Sequence, residues 1–241
     1  MLLYYIRHGD PIYTPDHLTP LGERQAEALA RRLATFGLDR IYSSPSIRAL
    51  QTARPTCELL NMTPIELPAF DESLAYQSMY VLKDNGKRCW PWTHPEIRGI
   101  LLSREVREMG YRWHEHPALT KFRDFMPGIN RIAQECDAWL ASIGCVHDTE
   151  SGRYVLSDEI RDARIALFAH EGVGKLLLSH LLDIPFPLYA MNFEIEHSGM
   201  TVVEFRTWKD DTCNARVLTL SNDSHLYREG LPLDYKHEIR F

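Results

Sequence analysis

Leu2-Leu3-Tyr4-Tyr5-Ile6-Arg7-His8-Gly9-Asp10 is the stretch on which the reading of the fold turns. An apolar and aromatic run of strand length stops at Arg-His-Gly, and Pro11 follows. Such a run, bounded by Gly and Pro, reads as a buried strand that delivers its last residues to the edge of a sheet. In open α/β sheets the crevice beyond the carboxyl ends of the strands is where ligands bind. A guanidinium beside an imidazole suits an oxyanion there, because Arg offers a planar fork of donors and His a nucleophile. Alone, Arg-His-Gly serves as readily as a hydrogen-bonded turn, so the reading rests on its surroundings.

Working outward, residues 17–23 open a helix. Thr19 is placed as its N-cap and Pro20 at its first position. Leu21, Ala28, Leu29, Leu33 and Phe36 recur at helical spacing until Gly37 closes the element. Residues 39–45 form a β-prone run broken by Pro45, residues 46–60 a second helix, and residues 64–67 a short strand. A second junction repeats the first: Arg164-Ile165-Ala166-Leu167-Phe168-Ala169-His170-Glu171-Gly172 runs from a buried-type strand into a helix through Leu176, Leu177, Leu181 and Leu182. Residues 200–205 and 216–220 are the last strands expected, antiparallel at an edge. The fold class expected is α/β: a three-layer α/β/α sandwich with a mostly parallel central sheet and an edge antiparallel strand.

Residues from about 76 to about 127 break this rhythm. They hold Trp90, Trp92 and Trp113 and helical fragments near residues 96–108, with no strand of the main sheet. One domain spanning residues 1–241 is expected, with this segment inserted as a cap over the active face. The next helix is placed at residues 128–143, where Ile129, Ile132, Ala133, Cys136, Trp139, Leu140 and Ile143 share a face. Residues 146–162 read as a polar surface excursion. In the tail, Tyr227, Leu231 and Tyr235 are the expected anchors.

Composition bounds the function. A chain of 241 residues with 44% hydrophobic and 25% charged residues is ordinary for a soluble globular protein. The net charge of −6 does not suggest a general affinity for nucleic acid or anionic membranes. Any bound anion must therefore be caught by a local cluster of cations. Cys57, Cys89, Cys136, Cys145 and Cys213 are odd in number, scattered and without a Cys-x-x-Cys pair, so neither a disulfide framework nor a zinc site is indicated. No secretory signal or membrane-length apolar run is visible, and a reducing cytoplasm is the default expectation.

Taken together, these residues resemble the histidine phosphatase superfamily, also called the phosphoglycerate mutase-like family. The first matching block is Arg7-His8-Gly9-Asp10. The second is Leu18-Thr19-Pro20-Leu21-Gly22 with Gln25-Ala26, then Ser43-Ser44-Pro45 and Arg48-Ala49-Leu50-Gln51-Thr52-Ala53. The third is the strand ending in His170 with Gly172 beyond it. The resemblance implies a metal-independent phosphatase that hydrolyses small phosphomonoesters through a phosphohistidine on His8. Arg7, Arg48 and His170 are then the phosphate-binding residues, and no metal or cofactor is required. The chemistry agrees: a neutral imidazole held in one tautomer can attack phosphorus, and fixed cations stabilise the charge on the equatorial oxygens.

A proton donor to the leaving oxygen is also needed. Phe70-Asp71-Glu72-Ser73-Leu74 lies where the mutase and small-phosphatase branch of the family carries its acid, which makes Glu72 the first choice. Glu171 is the alternative, since the acid-phosphatase branch places a carboxylate directly after the second histidine. The short loop after the first motif, Glu171 in place of a small residue, and Ala75-Tyr76-Gln77 after Glu72 all favour a hydrolase over a mutase. A phosphomutase and a non-catalytic phospho-ligand-binding member remain the alternatives. Thr52 and Gln51 are read as packing and hydrogen-bonding residues, and Asp10 as an orienting group.

Tyr76, Tyr80, Trp90, Trp92 and Trp113 can stack on an organic group, with Lys83, Lys87 or Arg88 on a second anion, or can form the cap's own core. His114 and His116, flanking Glu115, are expected to be solvated or locally bonded rather than metal ligands. The expected partner is a small phosphorylated molecule, with neither nucleic acid nor membrane; a homodimer stays open.

Overall fold

Along the first strand the even residues, Tyr4 and Ile6, pack in one hydrophobic cluster, and the odd ones, Leu3 and Tyr5, pack in another. Ile165 and Leu167 against Ala166 and Phe168 repeat that split. Strands buried on both faces lose the polar side of the period-2 pattern, so both stretches read as continuous apolar runs. The computed structural model describes residues 1–208 and 213–233.

Strand β1 (Leu2–Arg7) leads into a hairpin, β2 (Pro11–Tyr13) and β3 (Asp16–Leu18), then α1 (Pro20–Phe36), β4 (Arg40–Ser43), α2 (Ile47–Leu60) and β5 (Ile65–Glu66). The chain then leaves the sheet for α3 (Glu72–Met79), a ribbon of β6 (Val81–Leu82) and β7 (Arg88–Cys89), α4 (Pro95–Leu101) and α5 (Arg104–Met109). It returns through α6 (Met126–Ile143) and a second hairpin, β8 (Cys145–Asp148) and β9 (Arg153–Leu156). The order closes with β10 (Arg164–Ala169), α7 (Glu171–Leu181), α8 (Phe186–Asn192), β11 (Met200–Thr207), β12 (Cys213–Asn222) and α9 (Ser224–Arg228).

The main sheet has the order β12-β11-β1-β10-β4-β5. β1, β10, β4 and β5 are parallel, and β11 runs antiparallel to β1 and to β12. The antiparallel partner of β1 is therefore internal, and β12 occupies the edge. Helices α1 and α2 supply Leu29, Leu33, Ala53 and Cys57 to one face; α6 and α7 supply Ile132, Leu140, Leu176 and Leu177 to the other. The fold is the expected three-layer α/β sandwich.

Local signals placed several elements well. Thr19 caps α1, its side chain accepting from the Gly22 amide, and Gly37 ends the helix with φ of 71°. The helix placed at 128–143 starts two residues earlier, with Pro127 in its first turn. Residues 146–162 are not a polar excursion. They hold the β8–β9 hairpin, and Tyr154, Leu156 and Ile160 are buried. Arg153-Tyr154-Val155-Leu156 alternates in strand fashion, and the Tyr154 hydroxyl donates to the Leu181 carbonyl. Among the tail anchors, Leu231 is buried while Tyr227 is 83% exposed, because α9 turns Leu226 inward instead. Tyr235 lies outside the described residues. Among those residues no helix is long and apolar enough to cross a membrane.

The first motif is held by close backbone approach. A Cβ on Gly22 would stand 2.2 Å from the Asp10 carbonyl oxygen, and one on Gly9 would stand 2.7 Å from that of Gly22. Since both obstacles are backbone, Gly22→Ala must shift the loop, and a loss of about 1–3 kcal/mol is expected despite alanine's better helix propensity. Urea denaturation measures it; an unchanged midpoint rejects the tight-approach reading.

Candidate active site

Arg7 lies opposite Ala169 in the parallel register of β1 and β10, so the chain leaves the two strands at His8 and His170 side by side. Their ring centroids are 5.3 Å apart, and both residues are almost fully buried. Ser46 precedes α2 and His170 precedes α7; Ser46 Oγ and His170 Nε2 are 3.2 Å apart. Two helix N-termini therefore converge on the same point, which favours negative charge.

His8 Nδ1 lies 2.7 Å from the Gly9 carbonyl oxygen. A carbonyl can only accept, so Nδ1 carries the proton and Nε2 keeps its lone pair. Burial, followed by the positive fields of the His170, Arg7 and Arg48 positions, pushes the His8 pKa well down and keeps the ring neutral. These are the protonation and tautomer that nucleophilic attack requires. Burial does the same to His170, with Arg48 and Arg7 adding to it. An Arg48 terminal nitrogen donates to His170 Nδ1 at 3.0 Å, while Nε2 is 2.8 Å from Ser44 Oγ. A hydroxyl can donate or accept, so Ser44 lets His170 exchange tautomers and offer Nδ1–H to an oxyanion. Tyr5 adds a backbone clamp, its hydroxyl donating to the His170 carbonyl at 2.5 Å.

The two guanidinium groups are held from behind. Arg7 donates to the Ile195 carbonyl at 2.6 Å and pairs with Glu171 at 3.3 Å. Arg48 pairs with Asp16 of the β2–β3 hairpin at 2.9 Å and lies 3.6 Å from Glu72. Both Nε atoms are buried and have no hydrogen-bond partner among the described residues. Buried donors left unpaired are costly, and two of them beside a neutral imidazole are a cup for an oxyanion. Thr52 accepts from the Gly9 amide and holds the first motif, and Gln51 accepts from the Leu18 amide and holds the end of β3. Asp10 accepts from Thr19 Oγ1 at 2.6 Å, an orienting contact.

Glu72 starts α3 and reaches into the cup. Its Oε2 is 3.3 Å from His170 Nδ1, and its Oε1 accepts from the Gly172 amide at 2.8 Å. Burial lifts its pKa to about 7 against the opposing pull of Arg48, Arg7 and that amide. Gly172 makes the approach feasible: a Cβ there would lie 2.4 Å from Trp90 and 2.6 Å from Glu72 Oε1. Glu171 sits differently. It bridges Arg7 and Lys175, the latter at 3.5 Å, and burial raises its pKa. Lys175, itself buried, also pairs with Glu194 at 3.2 Å.

His8, Glu72 and His170 each offer a ligand atom within 4.8 Å of the others, a spacing that also suits a metal ion. Arg7 and Arg48 beside them repel a dication and favour an anion. Next to the cup opens a cavity of about 840 Å³ walled by Tyr13, Arg48, Glu72, Tyr76, Arg88 and Trp90. Trp90 stacks on Trp92 at 4.6 Å and meets the edge of Tyr76 at 4.9 Å. Trp92 and Trp113 are buried around Phe186, and Tyr80 lies under Arg88. Of the aromatics singled out in the sequence, Tyr76 and Trp90 therefore face the cavity, and Trp92 and Trp113 form core. Lys83 and Lys87 are exposed and do not line it. His114 is exposed, and His116 Nδ1 accepts the Ala118 amide.

Sequence reasoning missed Asp16, Tyr13, Ser46, Lys175, Glu194 and His197, whose ring lies 5.5 Å from that of His8. Asp16 and Tyr13 depend on a hairpin that no Gly signal announces. His197 is adjacent only because β11 pairs with β1.

Residues 3–79 match the model of the histidine phosphatase superfamily (branch 1). A PE-PGRS family protein of Mycobacterium tuberculosis is 36% identical over 83 residues, which are 30% of this chain and 14% of that protein. The chain thus spans a small part of that relative's length. A phosphoserine phosphatase from Entamoeba histolytica, solved with 3-phosphoglyceric acid, has the same fold with a TM-score of 0.59 at 18% identity, covering 93% of this chain and 98% of its own. A mycobacterial glucosyl-3-phosphoglycerate phosphatase gives 0.58 at 19% identity, covering 91% and 98%. The alpha-ribazole phosphatase of Shigella flexneri gives 0.55 at 19%, covering 92% and 97%. At such identities the likeness concerns the fold alone. Residues 3–79 thus carry the likeness to the histidine phosphatase superfamily (branch 1).

Glu72 holds its proton more tightly folded than unfolded. From about pH 4.5 to about pH 7 the native state therefore binds more protons, and this group's contribution to stability falls as pH rises. Glu72→Gln removes that slope, so it should gain stability relative to the wild type between pH 4.5 and pH 8. Urea midpoints at the two pH values measure the change; a gap independent of pH contradicts a raised Glu72.

Proposed function

We propose that this chain is a metal-independent phosphatase that hydrolyses small phosphomonoesters through a phosphohistidine on His8. The observation that carries the reading is the neutral His8 ring, its proton fixed on Nδ1, beside two buried guanidinium groups whose Nε donors lack partners. His8 Nε2 attacks phosphorus as the ester P–O bond breaks, and Glu72 gives its proton to the leaving oxygen. Water then attacks the N–P bond, with Glu72 taking up a proton, and inorganic phosphate departs. Arg7, Arg48 and His170 stabilise the equatorial oxygens through both steps, so neutralisation of the phosphoryl charge requires no metal.

The pKa of Glu72, lifted to about 7, suits a group that donates in one half-reaction and accepts in the other. Glu171 is tied to Arg7 and Lys175 and serves better to hold Arg7 than to reach a leaving group. The cavity walled by Tyr13, Tyr76, Trp90 and Arg88 suits a phosphomonoester carrying a bulky organic group.

Two measurements test this reading. With EDTA present, p-nitrophenyl phosphate should be hydrolysed, and His8→Ala should fall to background; turnover retained in that variant removes the nucleophile. Glu72→Gln should lose about 10²–10⁴ in rate on alkyl phosphates and much less on p-nitrophenyl phosphate, whose leaving group needs little protonation. A Glu171→Gln variant showing that leaving-group dependence instead would move the acid to residue 171.

A further inference from the structure

A second cluster of ligand-type side chains lies away from the phosphate cup. Asp137 of α6, His147 of β8 and His180 of α7 meet where the β8–β9 hairpin packs on those helices. Both imidazoles address one carboxylate oxygen: His147 Nδ1 is 2.9 Å and His180 Nε2 2.8 Å from Asp137 Oδ1. The three donor atoms lie within 4.8 Å of one another, and all three residues are half-buried. We propose that Asp137, His147 and His180 bind a divalent transition metal, zinc above all, as a structural clamp separate from the phosphate site.

The donor set suits the ion. Two imidazoles and a carboxylate are zinc ligands, and three protein ligands leave a fourth position for water. Around zinc at about 2.0–2.1 Å, tetrahedral ligand atoms stand about 3.3 Å apart. The two N–O separations would thus open by roughly half an ångström, a side-chain adjustment. On binding, His147 offers Nδ1 and His180 Nε2 as lone-pair donors with the proton on the other ring nitrogen, and two hydrogen bonds to Oδ1 give way to two N–metal bonds and one O–metal bond. Charge agrees as well, since among the described residues Asp137 pairs with no lysine or arginine. That distinguishes this cluster from His8, Glu72 and His170, which face two guanidinium groups.

The site is also pre-organised. His147 stacks on Tyr154 with centroids 4.4 Å apart and planes 8° from parallel. Tyr154 is buried and donates to the carbonyl of Leu181, next to His180. The His147 and His180 rings stand 5.0 Å apart at 72°, so neither must swing far to share an ion. His180 is nine residues beyond Glu171, about 14 Å along α7. A bound ion would fasten the far end of the helix whose first turn adjoins the phosphate cup.

The test uses tag-free, full-length protein stripped with chelator and dialysed. Zinc titration by calorimetry, with cobalt absorption as a spectroscopic check, should give one equivalent of saturable binding at micromolar concentration or below. At zinc a hundredfold above the dissociation constant, Tm should rise by about 5–10 °C. Asp137→Asn keeps the size of the residue and an acceptor oxygen; it and His180→Gln should each weaken zinc binding at least about tenfold while retaining the wild-type circular dichroism spectrum. His8→Ala should bind zinc as the wild type does. Absence of saturable wild-type binding below about 100 μM zinc overturns the proposal, as does binding lost in His8→Ala but kept in Asp137→Asn.

Discussion

Arg7 sits opposite Ala169 and Ile6 opposite Phe168, in a parallel pairing between strands some 160 positions apart in the chain. The site depends on this register. It sets His8 and His170 level with each other where the two strands end, and it lets the amide of His8 bond to the Ala169 carbonyl. Because side chains alternate across a strand, a slip of one residue would also turn Tyr5 and Leu167 to the wrong face. The apolar pattern of both strands therefore locks His8 and His170 in place: sheet packing and site geometry are one constraint.

Burial then sets the chemistry in opposite directions for bases and acids. Withdrawing two imidazoles from water keeps them neutral, and nearby guanidinium charge reinforces this. The same withdrawal raises Glu72, where the guanidinium groups and the Gly172 amide act against it and leave the carboxyl near neutrality. Glu171 shares that desolvation but is occupied by Arg7 and Lys175. The two carboxyl groups thus differ in what they touch: Glu72 meets His170 and the Gly172 amide, and Glu171 holds two cations.

The sequence made the core of this arrangement legible because its determinants are local. Apolar runs stopped by His and Gly, the Thr19–Pro20 helix start and the Ser-Pro break before Arg48 each reveal a strand end or a helix start within a few residues. What it concealed depends on tertiary placement. Asp16 reaches Arg48 through a three-residue-per-strand hairpin too short to leave a periodic trace. His197 nears His8 because β11 is threaded beside β1. Tyr76 and Trp90 could not be told from Trp92 and Trp113 by type, since all are large aromatics in one irregular segment. Only packing around Phe186 separates wall from core. Asp137, His147 and His180 come from three elements with no common spacing, so no motif search finds them.

The layout also divides labour between rigid and adjustable parts. His8, Arg48 and His170 are carried by the ends of β1, α2 and β10, elements whose flanks fill both hydrophobic clusters. The cavity walls come from Tyr13 at the hairpin tip, Tyr76 on the eight-residue α3 and Arg88 and Trp90 in and after a two-residue strand. Short elements with few buried residues can change sequence without disturbing the sheet, whereas the strand ends cannot. Glu72 is the exception that joins the two halves. It belongs to the wall segment yet accepts from the Gly172 amide at the start of α7, and Gly172 has no side chain because Trp90 and Glu72 already occupy that space. The Glu72 carboxyl is thereby positioned jointly by the wall segment and the core, so a change in the wall near Trp90 is felt at His170 as well as in the cavity.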